Sequence, residues 1–167
     1  MYESPAYHIL RVPIEKIRAN EYNPNSVAPP EMALLYESIK EDGYTMPIVC
    51  YYHEEDGMYE IVDGFHRYTV MLKHPDIYER EGGCLPVSVI QKPIDERMAS
   101  TVRHNRARGS HDVDLMSNSV AELVEMGRTD SWIAKKLGMD ADEVLRLKQI
   151  TGLAKLFESG GYSRAWI

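Results

Sequence analysis

The stretch EIVDGFHRYTVML, Glu60 to Leu72, runs from β-branched residues through Asp63-Gly64 into a segment that reads as a helix to about Lys73. His66 and Arg67 sit at the junction. Where a strand turns sharply into a helix, the first backbone N–H groups of the helix lack internal acceptors and carry partial positive charge, so they attract anions. Gly64 permits the tight turn and lets a ligand approach the backbone, while Arg67 offers a planar fork of donors suited to phosphate oxygens. Asp63 would face the same hollow with negative charge, where a Mg²⁺ ion or a hydroxyl to be deprotonated could sit. The plainer reading is an Asp-Gly turn with Arg67 in a surface ion pair, because such turns are common. The two readings part on whether further cations gather on the same spot.

Working outward, YHILRVPIEKI reads as a first strand, followed by the loop RANEYNPNSVAPP. In EMALLYESIKEDG, Met32, Leu35 and Ile39 share one helical face, Pro29 and Pro30 precede the first turn, and Gly43 supplies the stop. The apolar runs PIVCYY and MYEIV, separated by the acidic turn HEEDG, read as a β-hairpin that leads into the opening stretch. Gly82-Gly83 then introduces LPVSVI, a strand with a buried composition. Beyond Pro93 the strand pattern stops, and DERMASTVRHN, DVDLMSNSVAELVEMG, DSWIAKKLG and ADEVLRLKQI all carry helical periodicity. The expected organisation is α+β: a small mixed-sheet unit over residues 1–94, then an all-helical unit over residues 95–167, with no internal repeat.

Composition sets the bounds. A 167-residue chain that is 44% hydrophobic and 27% charged is globular in character and can bury a continuous core. It shows neither a leader-like start nor a run of ~20 apolar residues, so the cytoplasm is expected and a membrane is not. Cys50 and Cys84 have no metal-type spacing and read as ordinary buried thiols. The net charge of −7 argues against nonspecific coating of nucleic acid, but it is unevenly spread. Residues 1–94 hold 8 Lys and Arg against 15 Asp and Glu, whereas residues 95–167 hold 11 of each.

Against that acidity, RHNRARGSH (103–111) packs Arg103, Arg106 and Arg108 with His104, Asn105 and His111 at the end of a predicted helix. Cations there would cap the helix C-terminus, but one or two would suffice. Three arginines fit the second wall of an anion site. Further on, Ala134, Gly138 and Val144 in SWIAKKLGMDADEVLRL have the spacing of a helix-turn-helix, over about residues 129–150, and Asp140 with Glu143 resembles a capping box. An αα-hairpin that merely packs would show similar spacing. Residues 128–149 carry five bases and four acids, and the second helix opens with acids. The expectation is therefore modest, salt-sensitive DNA binding through Lys135, Lys136, Arg146, Lys148 and Gln149.

Taken in order, these motifs resemble the N-terminal domain of the ParB/sulfiredoxin superfamily followed by a helix-turn-helix, over about residues 8 to 155. LLYESIKEDGYTMPIVC resembles the family's helix that ends in Gly before a Pro-led strand. VDGFHR resembles its Gly-x-x-Arg phosphate box, HNRARGS its Asn-x-x-Arg box, and LPVSVI the strand between them. The resemblance implies a nucleoside triphosphate, ATP or CTP, with Mg²⁺. Gly64, His66 and Arg67 would form the first phosphate loop, and Asn105, Arg106 and Arg108 the second. Thr45, Met46, Pro47 and Ile48 would lie near the base or sugar.

Phe65 stands where sulfiredoxins carry their cysteine nucleophile, which argues against thiol chemistry. The Asp-Gly-x-His-Arg form is similar to that of free-serine kinases and implies a catalytic or Mg²⁺-holding Asp63, with Glu31 or Glu37 as a second carboxylate. Three readings follow. The first is a ParB-like, NTP-hydrolysing or NTP-gated regulator on DNA. The second is a small-molecule kinase, and the third a non-enzymatic module beside a PAPS-reductase-like partner. A slow Mg²⁺-dependent NTPase is favoured over a kinase or a ParB-like nuclease. A homodimer is among the expected assemblies. The stop at SRAWI, without ParB's separate dimerisation domain, points away from chromosome partitioning and towards regulation or defence.

Overall fold

Alternation and β-branching place Met58–Asp63 in a strand, β4, paired antiparallel with β3, Ile48–His53, as the hairpin reading expects. The computed structural model describes residues 3–21, 29–109 and 112–159. Its mixed sheet of five strands has the order β1-β5-β3-β4-β2, where β1 is Ile9–Pro13, β2 is Ile17–Arg18 and β5 is Cys84–Val89. The single first strand expected from YHILRVPIEKI is thus two strands on opposite edges, separated by a 3₁₀ turn at Ile14–Lys16. Four inter-strand spacings of ~4.8 Å would put the edges of a flat sheet on the order of 19 Å apart. Three residues of 3₁₀ turn advance only ~6 Å. The sheet therefore curls until its edges approach, and the Ile14 amide donates to the Gly83 carbonyl at 2.9 Å to fix the turn.

Three helices cover this sheet. In α1, Pro29–Asp42, the expected apolar face carries buried Ile39 with half-buried Met32 and Leu35. In α2, Phe65–Lys73, Val70 and Met71 are buried. A third helix, α3 at Pro75–Glu81, was not foreseen, although Pro75 in its first turn and left-handed Gly82 are ordinary start and stop signals. Ile48, Cys50, Leu85 and Val87 are the centre of the core. Burial pushes the Cys50 thiol up to about 12, in keeping with an inert core residue, whereas Cys84 is half-buried.

Beyond Pro93 come α4, Ile94–Ala107; α5, Val113–Glu125; α6, Asp130–Leu137; and α7, Ala141–Ser159, which runs past the expected end near residue 150. The helix-turn-helix spacing holds in three dimensions. Ala134 packs against the second core, Gly138 is left-handed at φ 66°, and Val144 is fully buried. Asp140 accepts from the Glu143 amide at 2.7 Å, but the Glu143 carboxylate bonds Arg106 instead of closing the capping box. Among the described residues no helix is long and apolar enough to cross a membrane.

Helix α4 joins the two cores. Met98, Ala99 and Val102 enter the helical cluster, while Arg97 lies 3.7 Å from the Tyr51 ring of β3 and Thr101 Oγ1 donates to the Val62 carbonyl at 2.7 Å. That last bond ties α4 to the residue preceding Asp63. Thr101→Val keeps the shape and removes the donor, so stability measured by urea unfolding should fall by ~1–3 kcal/mol. An unchanged midpoint would show that the bond contributes little.

Candidate anion-binding site

β4 delivers Asp63 to the rim of the sheet, where its carboxylate is only 6% exposed. Gly64 then turns the chain with φ 104°, a conformation that L side chains rarely adopt. The positive φ is what requires glycine; a Cβ here would also crowd Ile48 Cδ1 at 3.0 Å and displace the Arg67 guanidinium, whose Nη2 lies 2.8 Å away. α2 starts at once, with no side-chain cap on its first amides. The Tyr44 hydroxyl donates to the Arg67 carbonyl at 2.9 Å and anchors this first turn.

Four cationic or potentially cationic side chains surround the turn. Arg108 meets Asp63 through two parallel bonds, Nη1 to Oδ1 at 2.7 Å and Nη2 to Oδ2 at 2.5 Å. Arg67 Nη2 lies 3.4 Å from Oδ2, and His104 Nδ1 3.7 Å from it. His66 lines the same hollow, and burial lowers its pKa more than nearby Asp63 raises it. Burial also pushes the Asp63 carboxyl up, but His104 and Arg108 beside it, with the charges of Arg108 and Arg67, prevail and hold it well below the ordinary carboxylate range. The Arg108 guanidinium is correspondingly raised by its bond to Asp63, whereas burial draws Arg67 down. Arg108 is the tighter partner.

The cavity between these groups is about 230 Å³. Leu35 of α1, Met46 ahead of β3, Val62 to Arg67, and Asn105 and Arg108 of the α4 end form its walls. Of the expected nucleotide residues, Met46, Gly64, His66, Arg67, Asn105 and Arg108 come together around Asp63. Thr45 is exposed and Pro47 half-buried, and neither forms the wall; Ile48 is fully buried in the core.

Arg106 does not join them. One residue beyond Asn105 on a helix is turned about a quarter of the way round, so Arg106 faces the helix-turn-helix. There it pairs with Glu143 at 2.8 Å and donates to the Gly138 carbonyl. Arg103 likewise reaches the Lys136 carbonyl. These two arginines cap α6 rather than the helix that carries them. His111 lies outside the described residues. Leu35 and Tyr44 were not foreseen as parts of the site. Leu35 carries the spacing of a core-facing residue, and nothing in the sequence marks Tyr44.

The role expected of Asp63 also changes. Both of its oxygens accept from arginines, and a carboxyl held so far below neutrality is a weak base. No group of three or more metal-ligating side chains occurs among the described residues. With both oxygens engaged by arginines, Asp63 offers no open position to a Mg²⁺ ion in this arrangement of side chains.

In the helix-turn-helix, Lys136 pairs with Glu96 at 3.0 Å and Lys148 with Asp130 at 2.9 Å, so both are engaged within the molecule. Lys135, Arg146 and Gln149 are exposed. Glu143, an acid at the start of α7, is neutralised by Arg106.

Residues 3–79 match the ParB N-terminal domain family, and residues 111–159 match the IbrB-like C-terminal HTH domain family. YbdM from Escherichia coli (strain K12) is 49% identical over 164 residues, covering 98% of this chain and 78% of that protein. Two solved structures of C-terminally truncated chromosome-partitioning protein ParB from Caulobacter crescentus share the fold. The one complexed to the centromeric parS site superposes with a TM-score of 0.55 at 18% identity, covering 92% of this chain and 80% of that chain. The one complexed with CTP-γ-S gives 0.50 at 21%, covering 92% and 87%.

The Asp63 pairing has a pH signature. Its folded pKa lies below the ordinary 3.8, so the stabilisation is present above that value and is withdrawn as pH falls through the folded pKa. Unfolding free energies from about pH 5 to about pH 2.5 should fall more steeply for the wild type than for Asp63→Asn. Equal slopes would contradict the pairing.

Proposed function

The chain belongs to one family with YbdM, joining a ParB N-terminal domain to an IbrB-like helix-turn-helix domain, and we propose that it is a nucleotide-gated, DNA-binding regulator. One observation carries the reading: Arg67 and Arg108, far apart in the chain, converge on a single carboxylate beside uncapped helix amides. Such an arrangement of guanidinium forks and free N–H groups is built for phosphate oxygens. A cavity of about 230 Å³ is smaller than the ~300–1,000 Å³ of sites that enclose drug-sized ligands. The phosphates would be enclosed and the nucleoside would lie at the mouth, against exposed Met46 and Thr45.

Gating is favoured over hydrolysis or phosphoryl transfer. Among the described residues lining the cavity, Asp63 is the only carboxylate, and Arg67 and His104 beside it, in addition to Arg108, hold it as an anion with little basicity. A Mg²⁺ ion accompanying the nucleotide would be carried by its phosphate oxygens. The means of gating lies in α4, which sends Arg108 into the cavity and, two residues earlier, Arg106 onto Glu143 at the head of the recognition helix. A change of partner at Arg108 therefore acts on the element that holds α7. CTP is the first candidate because a ParB of the same fold is known with CTP-γ-S, and ATP the second. On DNA, Lys135, Arg146 and Gln149 are the expected contacts, and a homodimer would place two such helices on paired half-sites.

Thermal unfolding with CTP, ATP and GTP, each with and without Mg²⁺, tests this together with gel retardation of DNA. One nucleotide should stabilise the protein by ~2.7 kcal/mol at a hundredfold excess over its Kd and change DNA retention. Arg67→Ala and Arg108→Ala should each strongly weaken both effects, while Arg146→Ala with Gln149→Ala should weaken retention alone. Stabilisation by none of the three would leave the reading of a partner-dependent interaction module.

A further inference from the structure

The cavity that should receive phosphate already contains an anion. The Asp63 carboxylate accepts two bonds from Arg108 and stands 3.4 Å from Arg67, the two side chains on which a phosphate would depend. With Asp63 in place, its single negative charge cancels one of the two guanidinium charges, which steadies the arginine pair but opposes a multiply charged phosphate chain. We propose that Asp63 is a built-in competitor: it takes the place on Arg108 that a ligand's phosphate would occupy, and binding exchanges the Arg108 guanidinium from Asp63 to the incoming phosphate.

Mobility around the pair sets which partner moves. The Asp63 side chain is 6% exposed and fixed at the end of β4, next to the Val62 carbonyl that Thr101 holds. Arg108 is 43% exposed, caps the last turn of α4, and precedes Gly109 at φ 79°. The guanidinium can swing out to a ligand, whereas the carboxylate would have to leave a packed strand end. The exchange thus sets a threshold on affinity. Only a ligand with enough charge to outbid Asp63 holds Arg108, which selects polyphosphates over single phosphates and other monoanions.

This inference rests on the phosphate-binding reading, and the probe is inorganic tripolyphosphate, which removes any contribution from base or sugar. Full-length wild type, Asp63→Asn and Asp63→Ser are compared by calorimetric titration and thermal unfolding, with inorganic phosphate as the monomeric control. Asparagine keeps an acceptor for Arg108 without the charge, and serine provides the same neutralisation with a different shape should the first variant fold poorly. The expected result is a lower melting temperature without ligand but tripolyphosphate binding about tenfold tighter than wild type. Discrimination against single phosphate should also weaken. Equal or weaker binding in the neutral variants, with wild-type binding intact, overturns the competitor role and leaves the phosphate site standing. Failure of all three proteins to bind tripolyphosphate or CTP removes the phosphate site and this inference together.

Discussion

A single carboxylate, that of Asp63, carries the electrostatic burden of the site. Two guanidinium groups placed side by side in a half-buried hollow would repel each other and lose hydration, and Asp63 offsets both effects by accepting from Arg108 through two bonds and standing beside Arg67. Its position is not free to vary. β4 must end at this residue, Gly64 must turn at a positive φ so that α2 begins immediately, and α4 must reach far enough for Arg108 to arrive from 45 residues away. Removing Asp63 would leave two guanidinium charges facing each other, at a cost that the 43% exposure of Arg108 reduces below that of a fully buried pair. The curled sheet, the left-handed glycine and the length of α4 are tied together by this one contact.

The second constraint is that α4 serves two neighbours. Its buried residues enter the helical core while Thr101 and Arg97 lie on the sheet. Its last turn divides the arginine cluster by helical phase. Asn105 and Arg108, three apart, face the cavity, whereas Arg103 and Arg106 face the helix-turn-helix and bond the carbonyls that end α6. Further ion pairs, Lys136 with Glu96 and Arg128 with Asp95, hold the same junction. A perturbation in the cavity would therefore meet a helix already bonded to the start of α7, which is the physical basis of the proposed gating.

Much of this was readable from the letters. The hairpin, the face of α1, the four later helices and the turn at Gly138 follow from periodicity and glycine chemistry, which act locally. The split of YHILRVPIEKI into two edge strands was not readable, because either half alone suits a strand and only sheet closure separates them. Within the site, the sequence brought Arg67, Asn105 and Arg108 to notice but could not tell Arg106 from Arg108, since helical phase relative to a distant cavity is a tertiary fact. Asp63 looked like a free base for the same reason. Its partner lies 45 residues on, and nothing near it in the chain announces the pair.

The claim that everything else requires is that Arg67 and Arg108 form one anion site. A double-mutant cycle with Arg67→Ala and Arg108→Ala, read as tripolyphosphate affinity, tests it directly. Side chains that grip the same phosphate should be coupled by ~0.5–3 kcal/mol, so the second substitution costs far less once the first is made. Losses that add to within ~0.3–0.5 kcal/mol would mean that the two arginines act independently and that no shared site exists.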